Sequence, residues 1–405
     1  MKKEKIAFVF ATYTLSDPTT RNTINSISNL FDKIIVVEQN SSIKYKPLES
    51  KNIVVEQVSD LSGFPGLMGI KNVFKWITYK LTVKKLIKKY KPGLLITFML
   101  KPLAAIKLLP GQIMISCIYD IPDPQTAGKM DGVINKRGFL NLKNAQVVWA
   151  SDEYKAALTA EFGKLNTLPL VCYNCPVLKT DDYDVASAKL WLREKLRQSG
   201  ATVSETGGTV LVRAGAIGPY GGIEETLSAM TALPENCIFL MMGRPDKEYG
   251  EKLVSLVKDK GLEERAIFWN RPDDETWQKA IAGADIGHLL HLPPPENTIQ
   301  AGAYKYNSSL SNYRIFTYMA AGIPILSYND IRLKNLHEEM NCFCELNIKD
   351  IENEIRINWE ELNKNNVLRN KMGSAALEAF RTKYNWEYQF NEINKIITHS
   401  QSSQQ

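Results

Sequence analysis

The sequence predicts an α/β protein made of two successive doubly wound domains. Three observations carry this. The chain has 405 residues, 44% hydrophobic and 23% charged, room for two domains at about 100–200 residues each and too apolar for a disordered chain. Short apolar runs alternate with helical patterns, as in a parallel sheet covered on both faces. The alternation stops once, at the turn-rich acidic stretch PVLKTDDYD (176–184), and then restarts.

In the first half, KIAFVF (5–10), KIIVVE (33–38), LLITF (94–98), IMISCI (113–118) and QVVWA (146–150) read as strands. TRNTINSISNLF (20–31) and DEYKAALTAEF (152–162) read as helices between them. In the second half the strands are TVLVR (209–213), CIFLMM (237–242), AIFW (266–269), DIGHLL (285–290) and IPILS (323–327). SNYRIFTYMAAG (311–322) reads as an amphipathic helix stopped by glycine. Residues 349–398 read as all-helical, and the tail THSQSSQQ as disordered. The expected boundaries are 1–178 and 185–380 for two Rossmann-like domains, and 381–398 for a last helix. Ligands of such folds bind at the carboxyl ends of the strands, and a cleft between two such domains is the default site.

Several classes are excluded. The apolar run in MKKEKIAFVFATYT is short, lacks an A-x-A site and leads into a polar turn, so it reads as a buried strand and not a signal peptide. No run of about 18 apolar residues predicts a transmembrane helix. Six scattered cysteines, including CYNC (172–175) and CFC (342–344), do not make the two close pairs that zinc needs. They read as buried reduced thiols, which fits the cytosol. His288 and His291 fall in a strand and the following loop, on opposite faces, so no metal is expected there; His291 lies nearer the cleft end, where a donor sugar would sit.

The net charge is +6, but positions 71–91 hold eight lysines and no acid. Phe74, Trp76, Ile77 and Tyr79 are interleaved with them. Lys71, Lys75, Lys80, Lys84, Lys85, Lys88 and Lys89 form either a solvated helix face or a contact with an anionic membrane surface, with GFPGLMGI (63–70) as an apolar foothold. Nothing else supports a nucleic-acid partner.

VRAGAIGPYGGIEETLSAM (212–230) runs from a strand into a helix. Gly215, Gly218, Gly221 and Gly222 free backbone N–H groups for a phosphate or sugar, or simply make a tight turn. The spacing is not G-x-G-x-x-G and no Walker A sequence occurs, so a dehydrogenase is disfavoured. NSSLSN (307–312) offers Ser308, Ser309 or Ser311 as a helix cap. Arg314 follows, a forked cation suited to pyrophosphate, unless it pairs with an acid or reaches solvent.

NYRIFTYMAAGIPIL (312–326) resembles the N-K-L-F-E-Y-M-A-A-G-x-P-V signature of retaining glycosyltransferases with the GT-B fold, of the glycosyltransferase family 4 type. The resemblance covers nearly the whole chain. YDIPD (119–123) is similar to the family's Y-D-x-H-D/E, and NCP (174–176) to the N-x-P that closes the first domain. AGAIGPYGGIEETLSAM is similar to its glycine turn. FLMMGRPD (239–246) and IFWNRPDDETWQKAIAGADIGHL (267–289) follow in order. TKYNWEYQFNEINKI (382–396) is similar to the final helix that crosses back to the first domain.

This resemblance implies two Rossmann-like domains facing a cleft. The second would hold a nucleotide-sugar, as substrate rather than cofactor, and the first would present the acceptor. The sugar would move with retention and without metal. Arg314 stands where the family lysine neutralises the leaving diphosphate. The family glutamate that binds ribose hydroxyls one turn later is Thr317, an uncharged and weaker partner. The earlier glutamate of its E-x7-E pair falls at Ser309, and its basic pair at Ala216 and Gly221. Its histidine falls at Pro122, with no histidine before His288.

Asp123 takes the acid position after that histidine and, with Asp120, would orient the acceptor hydroxyl or serve as base. Thr12 and Tyr13 complete the acceptor side. Arg213, Arg244 and Arg271, at or just after strand ends, would replace the missing positive charge. Asn270 and Arg271 stand where the family holds the nucleotide base, and Ser311 and Asn312 join the donor set. The predicted protein is a cytoplasmic glycosyltransferase, peripheral on the inner face of the cell membrane, acting on a polysaccharide or lipid-linked glycan. The departures leave an alternative: a catalytically degenerate GT-B protein that binds a partner or sugar. A nucleotide-sugar epimerase ranks lower, its acid and histidine constellation being thin.

Overall fold

A computed structural model of the chain describes residues 4–11, 17–39, 50–58, 70–98, 100–118, 121, 129–178, 184–203, 207–270, 272–296, 298, 301, 304, 313–328, 330 and 333–402. The chain divides into two compact units.

Unit 1 comprises Met1–Val177, Pro295–Ser309 and Trp386–Gln405. Its strands are β1 (Ile6–Phe10), β2 (Lys33–Gln39), β3 (Ile53–Val58), β4 (Leu94–Phe98), β5 (Ile113–Ile118), β6 (Val147–Ala150) and β7 (Leu170–Val171). Its helices begin with α1 (Pro18–Ile27), α2 (Ile70–Tyr90), α3 (Leu100–Ala105), α4 (Lys129–Asn141) and α5 (Glu153–Gly163). The sheet is parallel, in the order β3-β2-β1-β4-β5-β6-β7, with Val9 opposite Val36 on one side and Ile96 on the other. Strands β1, β4 and β5 are buried at every position, so they read as unbroken apolar runs. Asp17 caps α1 by accepting from Thr20 N, with Pro18 at the first helical position.

Unit 2 comprises Leu178–Pro294 and Leu310–Asn385. Its strands are β8 (Thr209–Ala214), β9 (Cys237–Met242), β10 (Ala266–Trp269), β11 (Ile286–Leu289), β12 (Ile325–Tyr328) and β13 (Phe343–Leu346). Its described helices are α6 (Val185–Gln198), α7 (Ile223–Met230), α8 (Lys247–Asp259), α9 (Asp274–Gly283), α10 (Tyr313–Ala320), α11 (Lys334–Glu339), α12 (Ile351–Lys364) and α13 (Asn366–Thr382). The parallel sheet runs β10-β9-β8-β11-β12-β13. The last helix, α14 (Trp386–Ser402), belongs to unit 1. Its Trp386, Phe390, Ile393 and Ile397 enter the core layer of β1, β4 and α1, and Trp386 N donates to Pro176 O at 2.9 Å.

The α/β class and the two doubly wound units are as the sequence predicts. In each sheet the direction of strand addition reverses once, between β1 and β4 and between β8 and β11. Those reversals are the switch points at which such folds open a crevice for ligands. Two expectations are corrected. Strands β3, β7 and β13 were not anticipated. The tail is helical through Ser402, because α14 continues past the buried Ile397, with Thr398 Oγ1 donating to Asn394 O and Ser400 Oγ to Ile397 O. Among the described residues no helix is long and apolar enough to cross a membrane.

Candidate anion-binding site

The unit 2 switch point is built from the carboxyl ends of β8 and β11, the turn 215–222, and α10. β8 passes into the turn at Gly215, whose φ of 121° lies in the region that side chains avoid. A Cβ there would stand 2.4 Å from Arg314 Nη2, so the missing side chain is what lets the guanidinium lie against the turn. Gly243, just past β9, packs as closely on the other side: a Cβ would stand 1.9 Å from Gly215 O.

Arg314 is placed by its neighbour one turn on. Tyr318 is buried, accepts from Ala214 N at 3.0 Å and donates to Val212 O at 2.9 Å. This fastens α10 to the end of β8, and residues four apart share a helix face. Burial lowers the Arg314 pKa from the ordinary arginine value, with the nearby Tyr318 phenol acting the other way. Thr317 Oγ1 donates to Tyr313 O at 2.7 Å. Its proton is spent inside its own helix, and its lone pairs remain to accept from a ligand.

Beneath the turn lies Arg213, which corrects an expectation. It was expected to reach toward a donor; instead it is buried within β8 and turned under the glycines. Its Nη1 donates to Gly221 O at 2.7 Å and Leu290 O at 3.0 Å, and its Nε and Nη2 donate to Ala216 O at 3.3 and 3.1 Å. The cause is topological: a central parallel strand covered on both faces has no solvent side. Burial first, then the charge of Arg314, pushes the Arg213 pKa down to about 9, leaving it a cation at neutral pH. A Cβ at Gly221 would stand 2.7 Å from Arg213 Nη2. The strand therefore places a buried positive charge under the turn at Gly221.

His288 of β11 completes the support. Its Nδ1 lies 3.1 Å from Arg213 Nη1 and its Nε2 3.0 Å from Thr226 Oγ1, which donates to Gly222 O at 2.6 Å. Burial, then the charges of Arg213 and Arg314, hold its pKa well below the usual value. Gly222 caps α7, whose first turn carries Glu224 and Glu225; Glu224 pairs with Lys252 at 2.7 Å. Those carboxylates oppose the helix dipole, so attraction for an anion falls mainly to Arg314 and the buried Arg213.

The structure thus brings Gly215, Gly218, Gly221, Gly222, Arg314 and Thr317 to one sheet end. Arg244 follows β9 and Asn270 follows β10, both exposed. His291 is half-buried in the segment after β11. Thr12, Tyr13, Asp120, Pro122, Asp123, Arg271, Ser308, Ser309, Ser311 and Asn312 lie outside the described residues. Sequence reasoning missed the supporting roles of His288, Thr226 and Tyr318. Among the described residues no group of three or more His, Cys, Asp or Glu could hold a metal ion.

No family model matches the chain, and a search of curated proteins finds no match. Solved structures do share its fold. Sucrose-phosphate synthase from Thermosynechococcus elongatus has a TM-score of 0.74 at 13% identity, over 99% of this chain and 100% of that one. HepE from Anabaena, solved with UDP and glucose, has a TM-score of 0.66 at 17% identity, over 99% and 100%. WaaG, a glycosyltransferase involved in lipopolysaccharide biosynthesis, has 0.62 at 15%, over 97% and 99%. At such identities the likeness speaks to the fold, which is GT-B.

Proposed function

We propose that the chain is a glycosyltransferase that moves a sugar from a nucleoside-diphosphate donor, held by unit 2, to a polysaccharide or lipid-linked glycan. One observation carries this reading: the Arg314 guanidinium seated on Gly215 at the β8/β11 switch point, inside the segment that resembles the family signature. The HepE structure contains UDP in the same fold.

In the proposed reaction the bond between the sugar's anomeric carbon and the β-phosphate oxygen breaks, and negative charge develops on the diphosphate. Arg314, a cation fixed in place before the reaction, stabilises that charge where it forms, and Arg213 adds a buried positive field. The acceptor hydroxyl bonds to the anomeric carbon on the face the diphosphate leaves, and the configuration is retained. Its proton passes to the leaving phosphate or to Asp123, with no metal required. Thr317 accepts from a ribose hydroxyl, and Arg244 and Asn270 flank the nucleotide. Asp120, Thr12 and Tyr13 keep the acceptor-side roles that the resemblance implies, and the reaction runs on the cytoplasmic side.

The test is release of nucleoside diphosphate from a panel of UDP-, GDP- and dTDP-sugars, with and without a membrane extract as acceptor source. Turnover of one donor, lost in Arg314→Ala, is the expected result. Thr317, Ala216 and Gly221, in slots where the family carries charge, favour the second reading, a degenerate binder. Tight donor binding without turnover under any condition establishes that reading instead.

A further inference from the structure

The amino ends of β6 and β7 frame a cavity of about 310 Å³ that lies wholly within unit 1. Small-molecule sites span about 300–1,000 Å³, and this one falls at the small end. Gln146 stands just before β6 and Pro169 just before β7, and the two strands are parallel. The cavity therefore opens at the opposite sheet edge from the carboxyl ends, where such folds bind their substrates. Its floor is a gap in the cover of the sheet. β6 lies between β5 and β7, and three of its four residues are buried, yet Val148 is only half-buried. Ala145 and Leu165, which also line the cavity, are half-buried too.

The rim is cationic and polar. Lys143, Gln146, Lys164, Asn166 and Thr167 line it, all exposed, and none of the described lining residues is acidic. Among the described residues neither lysine is in an ion pair. Lys164 stands where helix geometry asks for another residue. It ends α5 at φ 49° and ψ 50°, the left-handed cap at which glycine is ordinary. Its N–H donates to Glu161 O at 3.2 Å, and Leu165 N–H donates to Ala160 O at 2.9 Å, so the turn is held closed. A lysine that serves the helix dipole can sit at any exposed position of the last turn without this strain. Only the cap places the ammonium at the cavity, and strain of this kind collects at functional positions.

We propose that this cavity binds a phosphate monoester of a small polyol, of the sugar-phosphate class. A monoester has a second pKa of about 6 and is close to a dianion at neutral pH, which matches two ammonium groups. Gln146, Asn166 and Thr167 offer donors and acceptors to hydroxyls, and the apolar floor takes the C–H face of a ring. The site shares no residue with the turn and arginines of unit 2 and does not rest on what unit 2 binds.

The test is calorimetric titration of the full chain with glucose 6-phosphate, inorganic phosphate and glucose, in the wild type and in Arg314→Ala. Glucose 6-phosphate should bind both chains alike, and about tenfold or more tightly than either inorganic phosphate or glucose. Lys143→Gln/Lys164→Gly should weaken it about tenfold or more. Both positions are exposed and glycine suits the backbone at 164, so the variant keeps its fold, which thermal unfolding checks. The proposal is overturned if glucose 6-phosphate does not bind at millimolar concentration, or if the double variant binds it equally. Binding lost in Arg314→Ala overturns it too, because the phosphate then occupies unit 2. So does equal binding of inorganic phosphate or of glucose, which removes the sugar or the phosphate from the ligand.

Discussion

Arg213 Nη1 lies 3.1 Å from His288 Nδ1, across the two strands at which the unit 2 sheet reverses direction. An arginine can only donate, so Nδ1 accepts and the imidazole carries its proton on Nε2. That proton points to Thr226 Oγ1, whose own proton goes to Gly222 O. Donors and acceptors therefore run in one direction from β8 to the cap of α7. A protonated imidazole would break the chain at its first link and set two buried cations together.

Stability should report this directly. The folded His288 stays neutral, while in the unfolded chain it titrates near 6.5. As pH falls through that value the unfolded state gains a proton that the folded state refuses. Stability is therefore complete above about 6.5 and falls at up to about 1.4 kcal/mol per pH unit below it. Urea unfolding between pH 8 and pH 5 should show a shallower slope for His288→Asn than for the wild type, since other groups titrate alike in both. Equal slopes would refute the assignment.

Arg213→Met should be costly for another reason. It leaves the buried carbonyls of Gly221 and Leu290 without this donor. An unsatisfied buried acceptor costs about 1–3 kcal/mol, so a loss of about 2–5 kcal/mol is expected in chemical unfolding. A loss below 1 kcal/mol, the size of an ordinary surface change, contradicts the bracing role.

Gly215→Ala tests the contact between the turn and Arg314. The new Cβ meets the guanidinium at 2.4 Å and strains a backbone at φ 121°. Nucleotide affinity should drop about tenfold or more as Arg314 is displaced, which is about 1.4 kcal/mol. Gly132→Ala, in α4 of unit 1 with open space around its Cβ, should bind as the wild type does. Equal affinities of the two variants count against this geometry.

Thr317 yields a prediction of gain. On the transferase reading its slot faces a ribose, and a carboxylate accepts about twice as strongly as a hydroxyl. Thr317→Glu should tighten nucleoside-diphosphate binding severalfold, and Thr317→Val should loosen it by less. Titration of both variants decides; weaker binding by Thr317→Glu would mean that the helix presents this face elsewhere.

Much of the fold was legible because buried parallel strands need unbroken apolar runs, as in Ile113–Ile118. The strands missed are those without such a run. β3 is mostly half-buried or exposed and β13 largely half-buried, both at sheet edges, and β7 has only two residues. The turn 215–222 and Arg314 were legible from glycine spacing and from a motif. The support under them was not, because Arg213 and His288 are 75 residues apart and meet only once the strand order is known. For the same reason Arg213 was expected at the ligand and found beneath the turn.

The most direct measurement is calorimetric titration of the full chain with UDP, GDP and dTDP, repeated with Arg314→Ala and Arg314→Lys. One nucleotide is expected to bind at micromolar affinity, about −8 kcal/mol. Arg314→Ala should weaken this tenfold or more, with Arg314→Lys between, since lysine keeps the charge and loses the fork. No binding at millimolar concentration, or equal binding by Arg314→Ala, contradicts a diphosphate site at this switch point.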